Sequence, residues 1–189
     1  TRIHNKLNDL LSHSQMEEEQ LTLTIENISL KEIFDPLLKN FELQAGRKNQ
    51  KVVLTYEDPL PKVQIDRKKI CDVFSNLLSN AIKYSYSGTT INIILKKGID
   101  TIEVEFQDQG QGLDDSDTGK LFMKFAKLSA KPTGKETSTG LGLYICKSFI
   151  DMHHGKIYAK SEGKNKGSSF FISIPIVYEF VKEPELKVL

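Results

Sequence analysis

The sequence predicts an α/β protein, because helical and strand-like patterns alternate along the chain. Between residues 67 and 85, apolar side chains recur three and four positions apart, as they do on the buried side of a helix. Residues 90–95 and 101–106 alternate apolar with polar side chains and are joined by a turn around Gly98, which predicts two strands. A second amphipathic helix is expected from residue 141 to about His153.

Composition and charge are those of an ordinary globular protein. The 189 residues are 39% hydrophobic and 27% charged, which is enough for one domain with a real core. A net charge of +1 gives no general attraction to nucleic acid or to a membrane. No apolar run approaches membrane-spanning length, and no signal peptide is visible. Because the chain starts at Thr1, we expect a piece of a longer protein.

The first part of the predicted domain holds a strand and a helix. Residues 21–28 alternate and predict the strand. Ser29 and Glu32 fit a capping box at the start of the helix. Pro36 lies inside the helical pattern, so the helix either bends there or begins near Asp35.

A second strand is predicted at residues 51–57, where Pro59 and Pro61 end it. Residues 63–65 are expected to pair briefly. Asp66 is a good N-cap for the central helix, because its carboxylate can accept from the first free N–H groups.

The segment from residue 114 to Gly140 is polar and rich in lysine, with one short apolar cluster at Leu121, Phe122 and Phe125. A connection this long inside a domain is usually a lid or a binding loop. We therefore expect it to cover a ligand site.

The last elements are a helix and two strands. Gly155 is expected to end the helix, with His153 and His154 as solvated residues beside its end. Residues 156–161 and 168–174 are expected to form a closing pair of strands. Cys71 and Cys146 lie in apolar helical patterns, so we predict core residues of a reducing compartment, not a disulfide or a metal site.

Three polar groups on the central helix suggest chemistry. Asn76, Asn80 and Lys83, together with Tyr84, lie three and four residues apart beside the apolar stripe. A carboxamide oxygen suits a magnesium ion that keeps most of its waters, and a lysine suits phosphate. The alternative is a core helix whose polar edge is merely solvated.

Two glycine-bearing motifs add to this pattern. Asp108 follows a strand and precedes Gly110 and Gly112, so its carboxylate can accept from an exocyclic amine while the glycines let a flat ring approach. The alternative is an Asx-type turn. Gly140 and Gly142 lie at the start of a helix, where free N–H groups attract phosphate. The alternative there is a flexible start of the helix, and neither the Rossmann nor the P-loop spacing is present.

Four motifs follow one another: NLLSNAIKYS at 76–85, DQGQGL at 108–113, FMKF at 122–125 and STGLGL at 138–143. In this order they resemble the N, G1, F and G2 boxes of sensor histidine kinases. The match is to their ATP-binding catalytic domain, in the GHKL superfamily that also holds gyrase and MutL. The resemblance implies a two-layer α/β sandwich of the Bergerat type, with helices on one face of a mixed sheet.

The same resemblance implies roles for individual residues, with ATP between the central helix and the lid. Asn80 would coordinate Mg²⁺, and Asn76 and Lys83 would attend the phosphates. Lys127 stands where many family members carry an arginine toward the γ-phosphate. The expected catalytic residues are therefore Asn76, Lys83 and Lys127.

At the other end of the expected site, Asp108 would hold the amino group of adenine and Tyr84 would line the pocket. The remaining residues of the expected nucleotide site are Gly110, Gly112, Leu113, Thr139, Gly140, Leu141 and Gly142.

The resemblance also implies a phosphoacceptor histidine, and no stretch of this sequence fits its H box, a histidine followed by an acid and LRxP. NDLL at residues 8–11 instead resembles the end of the second dimerisation helix. We therefore expect residues 1–20 to be the end of that helix, residues 21–176 to be the catalytic domain, and residues 177–189 to be a tail or linker.

The function implied is the transfer of the γ-phosphate of Mg-ATP to a histidine on the dimerisation domain. The expected partners are that domain and the receiver domain of a response regulator, and the full-length protein is expected to be a homodimer. No nucleic acid and no direct membrane contact are expected. The expected location is the cytoplasm, either free or as the cytoplasmic part of a membrane-anchored sensor.

Two other functions remain open: an ATP-hydrolysing conformational switch of the gyrase or MutL type, and a module that binds nucleotide without transfer. Switch relatives carry a glutamate four residues before the magnesium asparagine, where it acts as general base on water. Asn76 occupies that position here, and a carboxamide is not a useful base near neutral pH. A degenerate module would be expected to have a broken motif, and all four motifs are intact.

Overall fold

Five strands form one mixed sheet, and three helices cover one of its faces. The structure is a computed structural model that describes residues 22–126, 128–134 and 139–177. The expected end of a dimerisation helix at 1–20, and the expected tail beyond residue 177, lie outside the described residues.

The strands are β1 (Ile25–Ile28), β2 (Lys51–Tyr56), β3 (Val63–Asp66), β4 (Thr90–Lys97), β5 (Thr101–Gln107), β6 (Lys156–Lys160) and β7 (Ser169–Pro175). The helices are α1 (Lys31–Gly46), α2 (Arg67–Tyr84), α3 (Asp115–Thr118) and α4 (Gly142–Met152).

The large sheet has the strand order β2-β4-β5-β7-β6. β2 and β4 are parallel, and the other neighbouring pairs are antiparallel. β1 and β3 form a separate antiparallel pair. A parallel pair needs a crossover connection, and α2 supplies it between β2 and β4. The crossover places α2 against the sheet.

Alternation along the strands gives the sheet one apolar face. Ile93 of β4 pairs with Phe106 of β5, and both side chains are buried, whereas the preceding residue Glu105 points to the open face. The ring of Phe106 lies 5.8 Å from that of Phe74 in α2 and 6.1 Å from that of Phe34 in α1, centre to centre. Among the described residues, α1, α2 and α4 thus pack on one face of the sheet, which confirms the two-layer sandwich.

Helix α2 begins and is buried as its sequence predicts. The carboxylate of Asp66 accepts from the backbone N–H of Lys69 at 3.0 Å, and its other oxygen accepts from the N–H of Thr24 at 3.0 Å. The predicted apolar stripe is buried along its whole length: Ile70, Val73, Phe74, Leu77, Leu78, Ala81 and Ile82.

Helix α4 packs on α2 and runs antiparallel to it. The Sγ of Cys146 lies 3.8 Å from the carbonyl oxygen of Val73, and the Nε2 of His153 accepts from the backbone N–H of Asp66 at 2.9 Å. The end of α4 therefore lies beside the start of α2. Cys146 is buried and Cys71 half-buried, and both are free thiols.

The start of α1 differs from one of the two expectations. The helix begins at Lys31, and Pro36 lies within it, so the later start near Asp35 is wrong. Glu32 Oε1 accepts from the N–H of Ser29 at 3.4 Å, which is one half of the predicted capping box. The strand expected at 21–28 forms over its last four residues only, where β3 is available as a partner.

The expectation of a solvated His153 is wrong, because this side chain is 1% exposed. Its Nε2 accepts from Asp66, so its Nδ1 carries the proton and donates to the carbonyl of Phe149 at 2.6 Å. The left-handed residue after α4 is His154, with φ of 54°, and not Gly155. The N–H groups of both residues donate to carbonyls of the last helical turn.

Stability should depend on the protonation of His153. Burial lowers the pKa of this imidazole from its ordinary 6.5, and the bond to Phe149 and the Asp66 carboxylate only partly offset that effect. His153 therefore binds a proton more tightly in the unfolded chain than in the folded one. The free energy of unfolding that neutral His153 contributes is complete above about pH 6.5 and is lost as the pH falls below that value. Urea unfolding of the unmodified chain and of His153→Gln, from about pH 7.5 to about pH 5, measures this.

The unmodified chain should lose more stability over this range than His153→Gln, which cannot titrate. His154→Gln is the matched control, because His154 is exposed and its charge is the smallest of the causes that lower the pKa of His153, so most of the pH dependence should remain. Parallel stability curves for the unmodified chain and His153→Gln would contradict the assignment.

Candidate functional site

The side chains predicted to attend phosphate lie along one edge of α2. Asn76, Asn80 and Lys83 project from the same side of the helix because they are four and three residues apart. Both asparagines are half-buried. Lys83 is 7% exposed, and its ammonium nitrogen lies 5.2 Å from the centre of the Tyr84 ring. A lysine buried to this extent is not part of a merely solvated edge.

Helix α4 meets this edge at Asn76. A Cβ on Gly142 would lie 2.7 Å from Asn76 Oδ1, so a larger residue at this position would require the Asn76 carboxamide to move. Gly142 is the first residue of α4, and the N–H groups of a first helical turn have no acceptor within the helix. These donors and the carboxamide of Asn76 thus form one polar group, suited to an anion.

The three residues before Gly142 lead the chain into α4. Leu141 is buried in the core, so it supports the start of the helix from below. Gly140 lies against the backbone of Phe125 and Ala126, which joins the fourth motif to the third. Thr139 is half-buried at the same place.

Asp108 lies near the other end of α2. Its Oδ1 accepts from the N–H of Gly110 at 2.8 Å and from the N–H of Ser168 at 3.3 Å, and the hydroxyl of Ser168 donates to Oδ2. Burial raises the pKa of this carboxyl group, and these three hydrogen bonds oppose the rise. The hydrogen bond from Gly110 is the one that defines an Asx-type turn, so the turn that was the alternative to a ligand site is formed. The carboxylate that forms it is also buried.

The loop after Asp108 is held between two other segments. Gly110 pairs with Ser85 in an isolated bridge, which ties the loop to the residue that follows α2. Gly112 has φ of +69°, and a Cβ there would lie 2.1 Å from the carbonyl oxygen of Gly163. Leu113 is buried, and its N–H donates to Ser161 Oγ at 3.0 Å.

Sequence reasoning missed the residues of the β6–β7 turn that hold this loop. Ser168 binds both oxygens of Asp108, and the N–H of Asn165 donates to the carbonyl of Gln111 at 2.7 Å. Ser161 accepts from Leu113 and donates to the carbonyl of Gly167 at 2.6 Å. A glycine- and serine-rich turn before a strand was the available signal, but it did not indicate which loop the turn contacts.

The described part of the expected lid touches the site at several points. Asp117 is buried and accepts from the backbone and hydroxyl of Ser129. The N–H of Lys131 donates to Gln111 Oε1 at 3.0 Å, and the N–H of Thr133 donates to the carbonyl of Lys83 at 3.1 Å.

The apolar cluster of this segment is only partly buried. Leu121 is buried and Phe122 half-buried, whereas Phe125 is exposed and has φ of 57°. Lys127, the expected contact to the γ-phosphate, lies outside the described residues. Lys124 is described, and its ammonium nitrogen lies 5.1 Å from the centre of the Tyr144 ring in the first turn of α4.

The family of this chain follows from comparison with known proteins. Residues 65–177 match the family described as histidine kinase-, DNA gyrase B-, and HSP90-like ATPase, and the chain belongs to this family. No helix in the described part of the chain has the length and apolar character needed to cross a bilayer.

Similar proteins include sensor kinases. The chain is 29% identical over 170 residues to the alginate biosynthesis sensor protein KinB of Pseudomonas aeruginosa, covering 90% of this chain and 28% of KinB. It is 30% identical over 176 residues to the sensor protein kinase WalK of Staphylococcus epidermidis, covering 92% of this chain and 28% of WalK. The chain thus spans less than a third of the length of these curated relatives.

The fold is shared with the histidine kinase ThkA. Its solved catalytic domain has a TM-score of 0.72 and 24% identity, over 82% of this chain and 97% of that one. ThkA in complex with the response regulator protein TrrA has a TM-score of 0.77 and 22% identity, over 93% and 48%.

A side chain at Gly112 should destabilise the protein. Gly112→Ala would force a left-handed backbone on alanine and drive its Cβ into the Gly163 carbonyl. We expect the free energy of unfolding to fall by about 2 kcal/mol or more. Gly119→Ala is the control, because Gly119 has φ of −71° and no atom within 4 Å of the added Cβ. Urea unfolding compares the two, and equal stabilities would contradict the close contact.

Proposed function

We propose that this chain is the ATP-binding catalytic domain of a sensor histidine kinase, which transfers the γ-phosphoryl group of Mg-ATP to a histidine. The observation that carries the proposal is that α2 joins two polar places. Gly142 contacts Asn76 in the middle of α2, and Asp108 lies beside the bridge from Gly110 to Ser85, the residue after α2. Asn76 and Tyr84 are eight residues apart, or about 12 Å along the helix axis. An extended ligand fits this arrangement, with an anionic end at Asn76 and a nucleobase at Tyr84 and Asp108. These two places are called the phosphate end and the base end of the site.

The base end would recognise a hydrogen-bond donor. The carboxylate of Asp108 is buried, and Ser168 and Gly110 fix its orientation. The exocyclic amine of adenine is a donor, whereas guanine presents a carbonyl at the same position. A carbonyl at that position would face the buried carboxylate as a second acceptor and would have lost its hydrogen bonds to water, which is costly.

The phosphate end would combine neutral donors with one cation. Asn80 is the residue that would hold Mg²⁺, because its carboxamide oxygen is a hard, uncharged ligand. In the described ranges no group of three or more His, Cys, Asp or Glu residues could hold a metal. The other ligands of Mg²⁺ are proposed to be water and phosphate oxygens, because this ion usually keeps several waters and is shared with substrate phosphates. Bound Mg²⁺ would neutralise phosphate charge.

The protein's share in the transfer would be positioning. Asn76, Lys83 and the first turn of α4 would hold the phosphates, with the γ-phosphorus facing the incoming histidine. The unprotonated imidazole nitrogen would form the new N–P bond as the bond to the ADP oxygen breaks, and the N–H of the second ring nitrogen would release its proton to water. Lys127 is proposed to contact the γ-phosphate.

The partners proposed are the dimerisation domain that carries the histidine and the receiver domain of a response regulator, in a homodimeric full-length protein that is either cytoplasmic or a membrane-anchored sensor with this part in the cytoplasm. The structure of ThkA with TrrA and the names of the curated relatives support the response regulator as a partner. Residues 21–176 would be the catalytic domain, residues 1–20 the end of a dimerisation helix and residues 177–189 a linker.

Adenine nucleotides should bind more tightly than guanine nucleotides. We expect ATP with Mg²⁺ to bind at least about tenfold more tightly than GTP, because GTP sets a carbonyl against Asp108. Asp108→Ala should weaken ATP binding, and Ser168→Ala should weaken it less, because the backbone bonds to Asp108 remain. Glu105→Ala is the control, since Glu105 lies on the open face of the sheet. Isothermal titration measures all four proteins, and equal affinities for ATP and GTP would refute the adenine role.

Phosphoryl transfer should be favoured over hydrolysis. Because Asn76 is not a base, we expect the chain to hydrolyse ATP far more slowly than the typical enzyme turnover of about 10 per second. Labelled ATP should give no acid-labile phosphate on this chain, since no stretch of it fits the H box. A separately supplied dimerisation domain should become labelled.

Asn76→Ala should abolish this labelling, while Ser75→Ala, at the adjacent position but on another side of α2, should retain it. Fast hydrolysis coupled to a large conformational change would instead support the ATPase-switch alternative. Labelling of this chain itself would contradict the assignment of residues 1–20.

A further inference from the structure

A lysine from another part of the chain donates hydrogen bonds to the C-terminal end of α2. Lys48, two residues after α1, is half-buried and directs its ammonium group at this end. Its Nζ donates to the carbonyl oxygens of Ile82 at 2.8 Å, Lys83 at 3.1 Å and Ser85 at 3.4 Å, and to Thr133 Oγ1 at 2.7 Å.

This contact has a physical reason in the helix itself. The last carbonyl groups of a helix have no partner within it and carry a partial negative charge. An ammonium group satisfies several of them at once and complements that charge. Lys48 therefore stabilises the end of α2 that carries Lys83 and Tyr84.

Thr133 is the member of this cluster that does not belong to α2 or its cap. It lies in segment 128–134, one of the described parts of the connection between α3 and α4. Its N–H donates to the carbonyl of Lys83 at 3.1 Å, and its hydroxyl lies 2.7 Å from the carbonyl of Ser85. Lys48 thus fixes the helix end and segment 128–134 through one charged group.

Segment 128–134 is tied on its other side to the loop after Asp108. The N–H of Lys131 donates to Gln111 Oε1, and Gln111 follows Gly110, which bridges to Ser85. The segment therefore spans the gap between that loop and the end of α2, at the base end of the proposed nucleotide site.

We propose that Lys48 is a positioning residue of the nucleotide site, which ties segment 128–134 to the end of α2 and so slows the departure of bound nucleotide. The inference rests on the proposed function, because it takes the adjoining site to bind adenine nucleotide. Lys48 acts through Thr133 and the helix end, and it needs no contact with the ligand.

The chain offers a matched control for the helix-capping part of this role. Gln50 also caps α2, where its Nε2 donates to the carbonyls of Ile82 at 3.1 Å, Ser85 at 3.3 Å and Tyr86 at 3.1 Å. None of its hydrogen bonds in the described part of the chain reaches segment 128–134. Gln50→Met therefore removes a cap without releasing the segment, whereas Thr133→Val weakens the link and leaves the caps in place.

The first measurement is amide hydrogen exchange of the nucleotide-free chain. Lys48→Met and Thr133→Val should each speed exchange in residues 128–134 by about three- to tenfold, as expected for the loss of a charge-assisted hydrogen bond. Gln50→Met should lower the melting temperature and leave exchange in this segment within about twofold.

The second measurement is the dissociation rate of a fluorescent ADP analogue, displaced by excess ATP in a stopped-flow instrument. Dissociation should be about three- to tenfold faster in Lys48→Met and Thr133→Val, and the double variant should be no faster than the faster single variant. Lys48→Arg should restore slow dissociation, because a guanidinium can also donate to several carbonyls. Gln50→Met should dissociate at close to the unmodified rate.

Each contrary result has a distinct meaning. If the unmodified chain binds no nucleotide, the proposed function and this inference both fail. If it binds, but Lys48→Met and Thr133→Val dissociate at the unmodified rate, only this inference fails. Additive effects in the double variant, or an equal effect of Gln50→Met, would reduce Lys48 to a helix cap and overturn its positioning role. Thr133→Val keeps the test valid even if Lys48→Met does not fold.

Discussion

The close approach of α4 to α2 is the constraint on which the site depends. The two helices touch where Gly142 leaves room for the carboxamide of Asn76, and they remain in contact down to His153 and Asp66. Their common packing brings the free N–H groups of one helix to the polar edge of the other. A side chain at Gly142 would displace the carboxamide of Asn76 from the place where it is proposed to share the phosphates with the start of α4.

The unpaired backbone groups at the ends of α2 and α4 are satisfied in different ways. Asp66 caps the start of α2, and Lys48 and Gln50 satisfy its last carbonyls, so both ends of that helix are filled by protein groups. The start of α4 has Leu141 at its N-cap and no side-chain cap there. Of these two helices, α4 is thus the one whose start is left for an anion, and that start faces Asn76. The filled ends of α2 keep that helix fixed beneath it.

At the base end, backbone groups do most of the positioning. The loop after Asp108 is wedged between Ser85 and the β6–β7 turn, with contacts too close for any side chain at Gly112. Ser168, the last residue of the β6–β7 turn, then orients the buried carboxylate of Asp108. Glycine at such a place is required by the packing of the protein itself, independently of any ligand that approaches it.

The sequence by itself determined the elements whose signals are local. The apolar stripe of α2, its cap at Asp66 and the alternating strands β4 and β5 depend on residues a few positions apart, so periodicity predicts them. The order of four motifs also indicated the family to which residues 65–177 belong.

Only the tertiary structure decided which distant segments meet. Ser168 lies 60 residues from Asp108, Thr133 lies 85 from Lys48, and His153 lies 87 from Asp66. A solvated histidine and a buried one that accepts from a helix cap have the same local pattern, since the partner comes from another element. Such contacts are fixed by the crossover that places α2 on the sheet and by the packing of α4 on α2, and no short stretch of sequence encodes either.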